Sequence, residues 1–451
     1  MEIITFDNDL LGLRPFADRL QRFIEVEHQF VDGSLVIALS SKFGSGKTTF
    51  FQMWKADLDS RAKDPITPLV ISLNAWESDY YGDPLFAIIS GLIDRVREDG
   101  DSADSIVDAA KDIGWFATAI GGQIVKKVTG IDAVSAGALA EGKKAKRVAT
   151  AQLPKDTFSV YESRKNAMDN LKKAVQKFVT SSEPKVLFLV DELDRCRPDY
   201  AIAYLETIKH IFDVQGAVFI LAADRQHLEN SARTAFGPDL DFEEYYRKFV
   251  HREISLPLIS KAGYAKLATT YVDDYLQRDG LRNCFMSLDS YSVEYISELV
   301  GALKLTPRQI QEMFRILGHV FETSEDKRGR LKWCLAVGSV AMAAFKVGNP
   351  RVFDLLGNQE FEPLEALDFL TNLLEGSRSH WWFMLFLTGG GLKMGKEEKE
   401  TDVLTQVGLS EEETEAGHLS HLGQWYEGWG HSSNRRFTQI HEKIEQILQW
   451  N

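Results

Sequence analysis

Gly46-Lys47-Thr48-Thr49 closes a small, glycine-containing turn, Ser41-Lys42-Phe43-Gly44-Ser45, that follows the apolar run Leu35–Leu39. Phe50–Leu58 then reads as a helix. An apolar strand, a glycine turn and a helix start form a phosphate cradle. Small side chains let successive backbone N–H groups curl round an anion, and the helix N-terminus adds its positive dipole end. In such a turn Lys47 would reach the β- and γ-phosphates and the Thr48 hydroxyl would ligate Mg²⁺. Ser41, Gly44, Ser45, Gly46 and Thr49 would complete the wall round the phosphates. The usual pattern opens with glycine where Ser41 stands. Serine is small and Gly44 supplies backbone freedom, so the turn is expected to persist.

The cradle needs an acidic partner, and the string KVLFLVDELDRC, starting at Lys185, supplies one. Asp191 ends the apolar run and would hold Mg²⁺ opposite Thr48. Glu192, its neighbour, would polarise an attacking water as general base. Asp224 ends a second apolar run, Ala217–Ala223, where a polar group can sense a γ-phosphate, and Arg308 leads a later helix from which it could touch the phosphates. For both, an ordinary ion pair in a polar cleft is an equal reading. Arg14 and Phe16, just ahead of the loop, are candidates to pack beside the nucleotide base; a plain helix start with a core aromatic accounts for them as well. No N-K-x-D or T-K-x-D string is present to read guanine, which favours ATP over GTP.

These residues need a scaffold with strand ends along one edge. Short apolar strands are expected at Leu35–Leu39, Pro68–Asn74, Lys185–Asp191, Ala217–Ala223 and, as a last strand or extended exit, Glu253–Pro257. Helical spacing separates them: from Arg14 to about Phe30, from Pro84 to about Glu98, Tyr161–Thr180 and Pro198–Asp213. Alternating strands and helices imply an α/β fold, a doubly wound parallel sheet that binds its ligand at the strands' carboxyl ends. From Lys261 onward only helical patterns appear, at Lys261–Arg278, Ser292–Leu303, Pro307–Val320, Leu331–Lys346, Pro363–Leu374 and Arg435–Trp450. The expected division is 1–100 and 161–260 for the two parts of the nucleotide-binding core, 101–160 for a helical insertion, 261–391 for a helical lid and 392–451 for a C-terminal extension.

The chain of 451 residues is 44% hydrophobic and 26% charged, an ordinary globular balance, with a net charge of -14. That charge disfavours nucleic-acid binding by bulk attraction, though a local basic patch could still serve. Three scattered cysteines (Cys196, Cys284, Cys334) make neither a disulfide framework nor a zinc motif. Met1–Leu13 lacks the basic start of a signal peptide, and the apolar stretches Trp115–Val125, Trp333–Phe345 and Trp381–Leu392 fall short of the roughly 20 residues that span a bilayer. A cytoplasmic protein without a transmembrane segment is expected.

Taken together, the motifs resemble the KAP family of phosphate-loop NTPases. Asp191-Glu192-Leu193-Asp194-Arg195-Cys196 resembles the family's hhhhD[DE]LDRC string, and Asn74-Ala75-Trp76 its NxW after the second strand. Phe219–Asp224 with Arg225-Gln226-His227-Leu228, Tyr246–Phe249 before Leu256-Pro257, and Thr306–Ile310 resemble three further family steps, so the likeness runs from about Leu11 to Leu317. Two positions depart from the pattern: Ser41, and Gln311, where a basic residue is usual. The resemblance implies an ATPase domain with a helical lid, using ATP and Mg²⁺, that works as a switch or motor subunit in an assembly. Many members carry membrane helices between the loop and the acidic strand. Here that place holds the 101–152 insertion with its short apolar run and the basic cluster Lys143–Arg147, which implies a soluble bacterial-type member, and a solvated helical insert or an arm that docks on a partner, on another copy or on a membrane surface. Bacterial relatives are associated with phage exclusion, which points to antiviral defence. The alternative is a nucleotide-gated scaffold with little hydrolysis, whose helical C-terminal region recognises a partner or phage component.

Overall fold

The computed structural model describes residues 4–62, 64, 67–98, 104–110, 157–181, 186–276, 290–322, 333–374, 376–409, 422–429 and 435–448. Trp115–Val125 and Lys143–Arg147 lie outside the described residues. The chain divides into two compact units, residues 1–9 with 13–257 and residues 10–12 with 258–451.

The first unit follows the order α1 (Arg14–Glu27), β1 (Leu35–Ser40), α2 (Lys47–Ser60), β2 (Leu69–Asn74), α3 (Ala75–Asp79) and α4 (Pro84–Glu98), then α5 (Thr157–Ser181), β3 (Val186–Asp191), α6 (Pro198–Ile211), β4 (Ala217–Ala223), α7 (Arg225–Phe236), α8 (Phe242–Tyr246) and β5 (Arg252–Ser255). The five strands make one sheet, ordered β2-β3-β4-β1-β5, and every pairing is parallel. The sequence explains why β3 and β4 sit inside it. Residues 186–190 and 217–223 are buried without interruption, as strands covered on both faces must be. On one face Ile71, Phe188, Val190, Phe219 and Leu221 form a single core with Ile89 of α4, Leu171 of α5 and Leu205 of α6. Phe188 and Phe219 stack with ring centroids 4.3 Å apart. Against β2 and β3 also packs α2, whose Phe50, Met53, Trp54 and Leu58 are buried, and Phe16 of α1 meets Phe50 at 5.2 Å.

Register brings the carboxyl ends level. Ser40 pairs Ala223 across β1–β4, Asn74 pairs Asp191 across β2–β3, and Val190 pairs Leu221 across β3–β4. The loop strand and the acidic strand are therefore not neighbours, because β4 runs between them. Expected strand positions match, except that the last strand is Arg252–Ser255 and not Glu253–Pro257. Three helices that the spacing did not reveal, α3, α7 and α8, are short or polar.

The second unit is helical: α9 (Lys261–Leu276), α10 (Ser290–Ala302), α11 (Pro307–Glu322), α12 (Trp333–Gly348), α13 (Pro350–Gly357), α14 (Pro363–Leu373), α15 (Ser377–Thr388), α16 (Glu400–Gln406), α17 (Leu422–Trp429) and α18 (Arg436–Leu448). Its axis is α12, apolar on every side from Ala336 to Phe345. It packs on α10, α11, α13, α15, α17 and α18. Gly338 permits this closeness, since a Cβ there would lie 2.4 Å from the Trp429 ring. Glu298 accepts from the Arg378 guanidinium at 2.7 Å and from Trp382 Nε1 at 2.9 Å, which satisfies a carboxylate set among aromatic rings. No described helix is long and apolar enough to cross a membrane.

One contact in the first unit ties folding to pH. His251 immediately precedes the last strand, its N–H donating to the Val36 carbonyl at 2.9 Å, while Val36 N–H donates to His251 Nδ1 at 3.0 Å. That second bond requires an unprotonated Nδ1. Burial, joined by the Lys209 ammonium and the Arg252 charge against the opposing pull of Asp213, holds the ring below its ordinary 6.5. The unfolded chain thus binds the proton more readily than the folded one, so stability is whole above pH 6.5 and is lost as the pH falls from there toward the folded value. Urea melts of the first unit's signal between pH 7.5 and 5.5 should show a loss on acidification that His251→Gln reduces; equal pH slopes for the two chains would contradict it.

Candidate functional site

The turn after β1 has the backbone of an anion cradle. Gly44 and Gly46 take positive φ values of 77° and 101°, a region closed to most L-residues, and α2 starts at Lys47. Lys47 is 9% exposed, and its Nζ donates to the Ser41 carbonyl at 2.5 Å. The Asp194 carboxylate stands 3.9 Å from the same nitrogen. Ser45 Oγ is buried and has no hydrogen-bond partner among the described residues. Thr49 follows in the first turn of α2. Ser41, where glycine is usual, uses its side chain: Leu256 N–H donates to Ser41 Oγ at 3.2 Å, which anchors the loop to the chain leaving β5.

The carboxylates gather at the end of β3. Burial pushes the Asp191 carboxyl above the ordinary 3.8, against the opposing influence of the Thr48 hydroxyl. Asp191 Oδ1 accepts from Glu192 N–H at 2.9 Å. Glu192 takes a left-handed backbone, φ 60°, unusual for a residue with a Cβ. That turn sends its carboxylate to Arg195 at 2.8 Å and to Asn74 Nδ2 at 3.1 Å. Arg195 lies over the rings of Phe43, at 5.0 Å, and Trp76, at 5.5 Å, both about half exposed. Thus the loop, the end of β2 and the acidic string meet through one guanidinium.

Asp224 has a defined place at the end of β4. Its side chain caps α7 by accepting from Gln226 N–H at 2.9 Å, and its own N–H donates to Asp194 Oδ2 at 2.9 Å. Next to it, Arg225 pairs with Glu253 at 2.6 Å and with Glu243. The two residues proposed beside the base have protein partners: Arg14 pairs with Asp57 at 3.1 Å and Phe16 with Phe50. Arg308 stands in the first turn of α11, in the second unit. Cys196 is inert as a nucleophile, because burial, with the charges of Asp79 and Asp194, pushes its thiol up to about 12.

The structure brings Ser41, Gly44, Ser45, Gly46, Lys47, Thr48, Asp191, Glu192 and Asp224 to one edge of the sheet. It adds three side chains to which residue reading gave no such place: Asp194, facing Lys47, and Asn74 and Arg195, holding Glu192. Asp194 is three positions after Asp191 in a 3-10 turn at Leu193–Arg195, and that spacing was its available signal. The residues fit a Mg²⁺-nucleotide. A buried lysine, an unsatisfied serine hydroxyl and a threonine hydroxyl facing a carboxylate are the donor set for phosphate oxygens and a hard cation.

The KAP family P-loop domain matches residues 13–323. Among solved structures, the chain is similar to the Aeropyrum pernix ORC2 protein in ADPNP–ADP complexes, at 14% identity over 98% of this chain and 96% of that one, with a TM-score of 0.35. The Aeropyrum pernix ORC1 protein in complex with DNA aligns at 14% identity over 92% and 85%, also with a TM-score of 0.35. Likeness that weak constrains neither activity nor partners. No curated protein matches the chain.

Lys47→Ala removes a buried cation that can make charge-assisted bonds worth about 1.5–3 kcal/mol. Calorimetric titration with Mg-ATP should show affinity falling by roughly 10–100-fold; an unchanged affinity would contradict the cradle.

Proposed function

The chain belongs to the KAP family of P-loop NTPases, and from that premise we propose that it binds and hydrolyses Mg-ATP as a switch or motor subunit of a protein assembly. The observation that carries this reading is the buried Lys47 in one turn with the unsatisfied Ser45 hydroxyl, across from the part-buried Asp191 carboxylate at the end of β3. When bound, Mg²⁺ supplies a Lewis acid that draws charge from the β- and γ-phosphate oxygens. Thr48 and Asp191 would hold it, and Lys47 would leave the Ser41 carbonyl to meet phosphate. The loop's N–H groups and the α2 N-terminus would stabilise charge on the transferring group. Glu192 would take a proton from the attacking water and Asp224 would hold the edge of β4 near the γ-phosphate, with Asp194 orienting both its N–H and Lys47.

A second reading is favoured by one specific contact. Glu192 is paired with Arg195 and Asn74, and a base held in this way is slow until something releases it. That supports a nucleotide-gated scaffold with little hydrolysis of its own. The resemblance to relatives associated with phage exclusion supports a place for either version in antiviral defence.

Glu192→Gln separates binding from chemistry. It keeps the side-chain shape and the Asn74 contact but removes the base, so ATP should bind within a few-fold of wild type while phosphate release falls about 10²–10⁴-fold. Turnover within a few-fold of wild type would place the base elsewhere, with Asp194 next in reach. If the unaltered chain turns over no ATP yet binds it, the scaffold reading stands.

A further inference from the structure

Arg195 joins segments that converge on the nucleotide edge of the sheet. Its Nη1 lies 2.8 Å from Glu192 Oε1, and its guanidinium sits over the rings of Phe43, in the phosphate loop, and of Trp76, in α3. Among the described residues it pairs with no carboxylate other than Glu192. The two ring seats differ in kind. Trp76 rides on a fixed support: Asp79, at the end of α3, accepts from Arg197 N–H and Nε at 2.9 Å each, and Tyr200 of α6 donates to Ser78 Oγ at 2.9 Å. Phe43 belongs to the loop itself and precedes Gly44, which takes a positive φ. A planar guanidinium stacked on rings keeps its fork in one orientation, and here that orientation is toward Glu192.

The remaining contacts show what this does to the carboxylate. Asn74 Nδ2 lies 3.1 Å from the other oxygen, Oε2, so both oxygens of the residue assigned as base face protein donors. Glu192 also holds its left-handed backbone, φ 60°, a conformation that collects at switch regions where the surroundings enforce it. Asn74 has a second task, accepting from Glu77 N–H at 3.2 Å to cap α3, which leaves Arg195 as the contact that can change without loosening a helix. We propose that Arg195 is a positioning residue that restrains the base: seated on Phe43 and Trp76, it holds Glu192 away from the attacking water and keeps ATP turnover below what the site can reach. This restraint rests on Glu192 acting as the base of the proposed ATPase. It gives the slow state a cause and a sign, because loosening Arg195 accelerates hydrolysis, whereas losing an arginine that met the γ-phosphate would slow it.

Steady-state ATP turnover of the full chain and its variants tests the restraint, with Mg-ATP affinity by calorimetry as the check that each variant is folded. Arg195→Ala should raise kcat about fivefold with KM within about twofold of wild type, the scale of a partly exposed ion pair. Arg195→Lys keeps the charge and should stay near the wild-type rate. Trp76→Ala removes one seat and should raise kcat about twofold; it decides the matter if Arg195→Ala no longer binds Mg-ATP. In a Glu192→Gln background Arg195→Ala should add nothing, since the restrained group is gone. A wild type that turns over ATP while the binding-competent variants only match it or fall below overturns the restraint and leaves the ATPase reading standing. A gain that persists in the Glu192→Gln background overturns it as well. Binding without turnover in both the wild type and Arg195→Ala overturns restraint and hydrolysis together.

Discussion

Parallel register at the carboxyl edge of the sheet is the constraint on which the site depends. Asn74 lies level with Asp191 and Ser40 with Ala223, so the phosphate loop, the acidic string and Asp224 emerge side by side. Uninterrupted burial of β3 and β4 fixes that register. A slip of one residue would turn Phe188 and Phe219 out of their stack and exchange the two faces of the strand. Apolar packing, not the polar residues themselves, therefore sets the distances among the carboxylates.

From that edge the polar groups are arranged by short-range bonds that also hold them back. Lys47 rests on the Ser41 carbonyl, and Glu192 rests on Arg195 and Asn74. Each pairing uses an atom that phosphate or water would need. The left-handed backbone at Glu192 belongs to the same pattern. Strain of this kind costs of order 1–3 kcal/mol and persists where the surroundings over-determine it; here a hydrogen bond from Glu192 N–H to Asp191 and two side-chain contacts do so.

Much of this was legible in residue types and spacing. Strands buried on both faces are apolar without a break, so β1, β3 and β4 stood out, and the loop's glycines and Lys47-Thr48 carry their chemistry in their identities. The contacts of Glu192 were not legible, because they follow from one positive φ that a glutamate does not advertise. The direction of Asp194 was not legible for the same reason, being set by the turn that Glu192 starts. Arg14 and Phe16 were candidates for the base or for a plain helix start with a core aromatic, and their partners Asp57 and Phe50, far along the chain, could not be read from local spacing. In the helical unit, α15 was seen only as the apolar run Trp381–Leu392, since a helix buried on nearly all sides shows no period of 3.6.

A structure of the chain with Mg²⁺ and a non-hydrolysable ATP analogue tests the central claim most directly. The account predicts the analogue's phosphates inside the turn from Ser41 to Thr49, with Lys47 Nζ moved from the Ser41 carbonyl onto phosphate and the cation held between Thr48 and Asp191. An analogue bound elsewhere, or Lys47 still seated on Ser41 beside a bound analogue, would contradict it.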